Sequence, residues 1–123
     1  MGNPAVNYSD IKSTLTMLTY QEAEQLAVAW VAICTADQAV LVTERTMTKP
    51  YGWVFFYQSR AYLQTGDEGE ILLGNAPIII DRVNGEVRVT GTARPIEKYL
   101  TEFEASLAKR NGKRAWRRYF RIT

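Results

Sequence analysis

GWVFFYQS, residues Gly52–Ser59, is the stretch on which the fold turns. It is rich in aromatic and β-branched residues, which fit a pleated, half-buried surface, so it reads as a strand. Side chains alternate across a strand. Trp53, Phe55 and Tyr57 therefore share one face, and Val54, Phe56 and Gln58 the other. Bulk on both faces marks a central strand rather than an edge. The preceding AVLVTERTMT, residues 39–48, has the same character, and KPYG between the two is a turn signal, so the pair reads as a hairpin.

Downstream, PIIID and EVRVTGT flank RVNG. Asn84-Gly85 suits a type I′ turn, whose two central residues both need positive φ, and predicts a second hairpin. YLQTGDEGEILLGNA, between the hairpins, reads as a long irregular stretch. On the N-terminal side, Thr19 followed three places later by Glu22 is a capping-box signature. Behind it Ala23, Leu26, Ala27, Trp30, Val31 and Cys34 recur at helical spacing, while Val28, Ala29, Ala32 and Ile33 make the opposite side apolar as well. A last helix starts at Pro95, with Ile96, Tyr99, Leu100, Phe103 and Leu107 on one stripe and Gly112 as its expected interruption. The order is α-β-β-β-β-α. The expected architecture is α+β: a four-stranded antiparallel sheet with an N-terminal and a C-terminal helix packed on one face of it. Residues 1–18 read as a polar arm, 19–108 as a single domain and 109–123 as a basic aromatic tail.

Charge is unevenly spread. The chain has 123 residues and a net charge of +2, but residues 1–108 carry −5 and residues 109–123 carry +7. No apolar run approaches the ~20 residues of a membrane-spanning helix. The first ten residues lack a basic run followed by an apolar segment, so no secretory signal and a cytoplasmic location are expected. The chain has no histidine and one cysteine. That removes the commonest general base, the Ser/His/Asp and Cys/His arrangements, and the usual ligands of a structural zinc site. Neither phosphate-binding glycine motif is present, and no cofactor is implied. Cys34 falls on the core stripe of the first helix, with no histidine to activate it, and reads as a buried structural thiol. TGDEGE lacks the ligand spacing of a calcium loop.

The tail, KRNGKRAWRRYF, leaves three readings open. Its cations complement the C-terminal end of a helix. They also suit an acidic protein partner. In a third reading Lys113, Arg114, Arg117 and Arg118 track phosphates while Trp116 stacks on bases.

GWVFFYQSRAYLQTGDEGEILLGNAPIIID, followed by GEVRVTGTARPIEKYLTEFE, resembles the YrhB-type family, also called the immunity protein 35 family of bacterial polymorphic-toxin systems. The resemblance runs from about Thr19 to Glu104. It implies a small α+β protein without enzymatic activity that protects the cell producing it by binding a cognate toxin. Gly52, Gly66, Gly74 and Gly91 then read as backbone necessities, Asn75 as a turn former and Trp53 as core. The face expected to meet the partner is the acidic loop, Asp67, Glu68 and Glu70, with Arg60 and Tyr62 beside it, because acids steer onto a basic cleft. From other classes, a nucleic-acid-associated protein using 109–123 and a chaperone-like module exposing the back of the first helix are the alternatives. That same apolar back is also a possible homodimer face.

Overall fold

The computed structural model describes residues 17–120, and beyond residue 109 only the backbone course. Helix α1 is Tyr20–Cys34. Its capping box is complete: the Thr19 hydroxyl accepts from the Glu22 N–H at 3.2 Å, and the Glu22 carboxylate accepts from the Thr19 N–H at 2.9 Å. Strands β1 (Ala39–Leu41), β2 (Met47–Lys49), β3 (Gly52–Phe55) and β4 (Tyr57–Ser59) follow, then a short helix α2 (Arg60–Thr65), strands β5 (Ile78–Asp81) and β6 (Val87–Val89), and helix α3 (Ile96–Phe120). A four-stranded antiparallel sheet has the order β2-β3-β5-β6, and β1 pairs with β4 in a separate antiparallel ribbon.

The first hairpin of the sequence reading is thus divided between two sheets. Leu41 pairs with Tyr57 and Met47 with Val54, so five residues separate the paired stretches on one arm and two on the other. The three extra residues form a 3-10 turn, Thr43–Arg45, opposite Phe56. This works as a bulge does, bending the paired strands where the arms differ in length. The Arg45 guanidinium lies 4.4 Å from the Phe56 ring centre and covers the bend.

β3 and β5 form the middle of the larger sheet, with Trp53 opposite Ile80, Val54 opposite Ile79 and Phe55 opposite Ile78. Both strands are buried throughout. Trp53, Phe55, Ile78 and Ile80 pack against Leu18, Ala23 and Ala27 on the α1 side. Val54, Phe56 and Ile79 pack with Tyr51 against Leu100, Phe103 and Leu107 of α3. The helices therefore flank the sheet on opposite faces, not on one face as the sequence reading had it. The cause lies in the middle strands: with bulk projecting both ways, each face needs a helix to exclude water. Gly52 is what lets β3 and β5 meet, since a Cβ there would lie 2.0 Å from the Ile80 carbonyl oxygen. Tyr51 closes the α3 side. Its hydroxyl donates to Glu104 at 3.3 Å, and burial, then the Glu104 charge, hold it above the ordinary tyrosine range.

Other expectations need correction. Cys34 is exposed. Beneath the end of α1 the sheet has narrowed to two three-residue strands, and Val31, one turn earlier, is the last α1 side chain packed there. Leu26 is exposed too, so the buried stripe of α1 narrows to Ala23, Ala27 and Val31. The 82–85 turn is not type I′, because positive φ occurs at Gly85 and not at Asn84. The buried Asp81 carboxylate sets this loop instead, accepting from the N–H groups of Val83 at 2.8 Å and Asn84 at 3.4 Å. α3 runs through Gly112 without a break. One glycine costs a helix only about 1 kcal/mol relative to alanine, and Lys109, Arg110, Lys113 and Arg114 around it are good helix formers. Leu18, placed by the sequence reading in the polar arm, is buried and donates its N–H to the Arg82 carbonyl at 2.8 Å.

Candidate partner-binding surface

The stretch between the hairpins, read as irregular, is built. Ser59 caps α2, its hydroxyl accepting from the Tyr62 N–H at 3.1 Å, and Gly66 ends it in the left-handed conformation at φ 72°. Asp67 starts a 3-10 turn, Glu68–Glu70, by accepting from the Gly69 N–H at 2.9 Å. The chain then returns to where it left the sheet. The Gln58 side-chain carbonyl accepts from the N–H groups of both Ser59 and Leu72, at 2.7 Å each. The Asn75 amide donates to the Tyr57 carbonyl at 2.7 Å. Asn75 therefore fastens the returning leg to β4, more than the turn former expected. Leu72 packs inward against the cluster of Val31, Ala39 and Tyr57.

Asp67, Glu68 and Glu70 all lie exposed on this excursion. α2 and the acidic turn are in contact, so the structure brings the loop and the Arg60–Tyr62 helix together. Arg60 faces elsewhere: its guanidinium donates to the Asp37 carbonyl at 3.4 Å, and its backbone N–H to the Gln38 carbonyl at 2.8 Å. It ties the excursion to the turn after α1. Tyr62 is half-buried. Of the alternative basic site, Lys113, Arg114, Trp116, Arg117 and Arg118 lie outside the described residues as far as side chains are concerned.

Sequence reasoning had Ile33 on the apolar back of α1 but missed the apolar part of the excursion. Leu73 is 83% exposed, and Ile33 at the end of α1 is 79% exposed, the two highest values among the large exposed apolar side chains. Leu63 on α2 and Ile71 in the returning leg are exposed as well. The signal was Ile71-Leu72-Leu73 inside a polar loop: only the middle residue is drawn into the core, which turns its neighbours outward.

An open cleft of about 510 Å³ lies at the start of α1, lined by Leu18, Tyr20, Thr48, Trp53 and Arg82 among others. Tyr20 and Arg82 are its titratable groups, and the Arg82 guanidinium stacks over Trp53 at 4.9 Å. Tyr20 donates to Glu24 at 2.8 Å, and that bond raises its pKa. Among the described residues no group of three or more His, Cys, Asp or Glu is placed to hold a metal ion. No described helix is long and apolar enough to cross a membrane.

The molecule is thus a small α+β domain in which two helices flank an antiparallel sheet and one stapled excursion carries acids and exposed aliphatics. The family described as immunity protein 35 matches residues 21–105, and the chain belongs to that family. The match takes in nearly all of α1, both sheets, the excursion and α3 as far as residue 105, and it ends before the buried Leu107 and the basic run that begins at Lys109. The chain is also 41% identical over 92 residues to the uncharacterized protein YrhB of Escherichia coli (strain K12), spanning 75% of this chain and 95% of that protein. No solved structure matches it.

Proposed function

We propose that this protein is a non-enzymatic, cytoplasmic immunity protein that binds and neutralises a cognate bacterial toxin domain. The observation that carries the reading is membership of the immunity protein 35 family across the folded body. Immunity proteins in general act by binding, which needs a stable, pre-shaped surface and no reacting groups. The stapled excursion supports this reading. Backbone held by side-chain hydrogen bonds loses little further freedom on association. Its acids, Asp67, Glu68 and Glu70, suit a toxin with a basic cleft, with Arg60 and Tyr62 at the base of the same element. Charges of this kind raise the association rate more than the lifetime of a complex.

The test is capture of partners on the tagged full-length chain from its producing cell, with and without nuclease treatment, and with a parallel chain lacking residues 109–123. Retention of one stoichiometric protein that is toxic when expressed alone supports the reading. Retention of nucleic acid alone, lost on nuclease treatment or on removal of 109–123, contradicts it. With the partner in hand, replacing Asp67, Glu68 and Glu70 together by Ser tests the acidic face, and unchanged association kinetics would remove that face from the account.

A further inference from the structure

The excursion presents more than charge. It leaves the ribbon at Ser59, runs out through α2 and comes back beside Tyr57 and Gln58, so its outgoing and returning legs are adjacent. Arg60 fastens it to the turn that follows α1, which brings the end of α1 to its base. Four of the eight large exposed apolar side chains of the described chain belong to this end: Ile33, Leu63, Ile71 and Leu73. Scattered exposed aliphatics are ordinary, whereas several gathered on one rigid element mark an interaction surface. The acids of the same segments are Asp37, Asp67, Glu68 and Glu70, against Arg60 as the single cation. That cation is already engaged with a backbone carbonyl.

Long connections between the strands of a rigid body are where binding residues tend to lie. This one is held at Gln58, Ser59, Asp67 and Asn75, so its exposed leucines are displayed from a fixed backbone. Exposed aliphatics and acids carried on the same segments are complementary to a surface that offers apolar contact and cations together. We infer that Leu73, with Ile33, Leu63 and Ile71 around it, is the anchor of the partner interface, and that it seats in an apolar recess bordered by Lys and Arg on the partner protein. This inference rests on the immunity reading for the partner's existence. It adds the residues that hold the complex together, while the acids set the speed of its formation.

The probe is the toxic protein captured by the wild-type chain, purified, with binding followed by surface plasmon resonance at low and moderate salt. Leu73→Ser and Ile33→Ser should each weaken binding at least about tenfold, chiefly through faster dissociation, as truncation of a central anchor does. Both variants should keep the wild-type Tm, because the side chains removed are exposed. Reversing Glu68 and Glu70 to Lys should slow association, and more so at low salt. Wild-type dissociation constants in both leucine-face variants, with the wild-type chain binding tightly, would overturn this inference and leave the immunity reading standing. Failure of the wild-type chain to bind any toxic protein would remove the immunity reading and this inference with it. A wild-type chain that is dimeric in sedimentation and monomeric after Leu73→Ser would also overturn it, by showing that a second copy covers the face.

Discussion

Gly52→Ala tests the physical account of the sheet. A Cβ at this position would sit 2.0 Å from the Ile80 carbonyl oxygen and 3.0 Å from its carbon. Both are backbone atoms of the paired strand, so no side-chain rotation relieves the overlap. β3 and β5 would have to part by about 1 Å, at a cost of two or three ladder hydrogen bonds worth about 1 kcal/mol each. The φ of 153° adds strain for any residue with a Cβ, about 1–2 kcal/mol. The expected loss is about 3–5 kcal/mol, in the range reserved for named structural faults. At about 4 °C per kcal/mol for a chain of this size, Tm in a circular-dichroism melt should fall by about 12–20 °C. Gly66→Ala is the control: its φ is 72°, but nothing lies within 4 Å of the added carbon. It should lose only about 1 kcal/mol. A Gly52→Ala variant within about 4 °C of wild type, or no worse than Gly66→Ala, would refute the close-approach argument.

Asp81→Ala should cost about 2–3 kcal/mol in urea titration, because the N–H groups of Val83 and Asn84 lose their shared acceptor. Stability should decline as pH rises past about 10, since the unfolded chain's tyrosines release protons there while Tyr51, with its raised folded pKa, keeps its own. Tyr51→Phe should flatten that decline while costing about 1 kcal/mol at neutral pH for the lost bond to Glu104, measured as Tm between pH 8 and 11. Cys34, being exposed, should react fully with a thiol reagent in the native protein, and protection lifted only by denaturant would contradict its placement.

Much of the scaffold was legible because its determinants are local. Thr19 and Glu22 announced the start of α1, and the two-faced bulk of Gly52–Ser59 announced a central strand. That same pattern implied cover on both faces, but which helix goes to which face depends on chain crossovers that no local pattern records. The divided hairpin escaped notice because Thr43–Arg45 carries no glycine or proline to mark a bend; only the unequal arm lengths reveal it. α2 has six residues, too few for a periodic pattern, so the stretch was read as irregular although Ser59 caps it and Gly66 ends it. Around the candidate surface the acids were readable as exposed from their charge. Leu73 was not, because nothing in the sequence separates it from Leu72, which the Gln58 side chain draws to the ribbon. The end of α1 was misread for a related reason. Periodicity places Cys34 on the core stripe but does not say where the sheet beneath it narrows.

Protection by binding is the role proposed for this chain. Its most direct test is growth of cells expressing the captured partner under inducible control, alone or with this chain, together with the stoichiometry of the purified pair. Cells should arrest without the chain and grow with it, and inhibition should saturate at a fixed molar ratio. Arrest that persists in the presence of a well-expressed, folded chain would contradict it, as would protection by far less than one chain per toxin, which would mean turnover rather than binding.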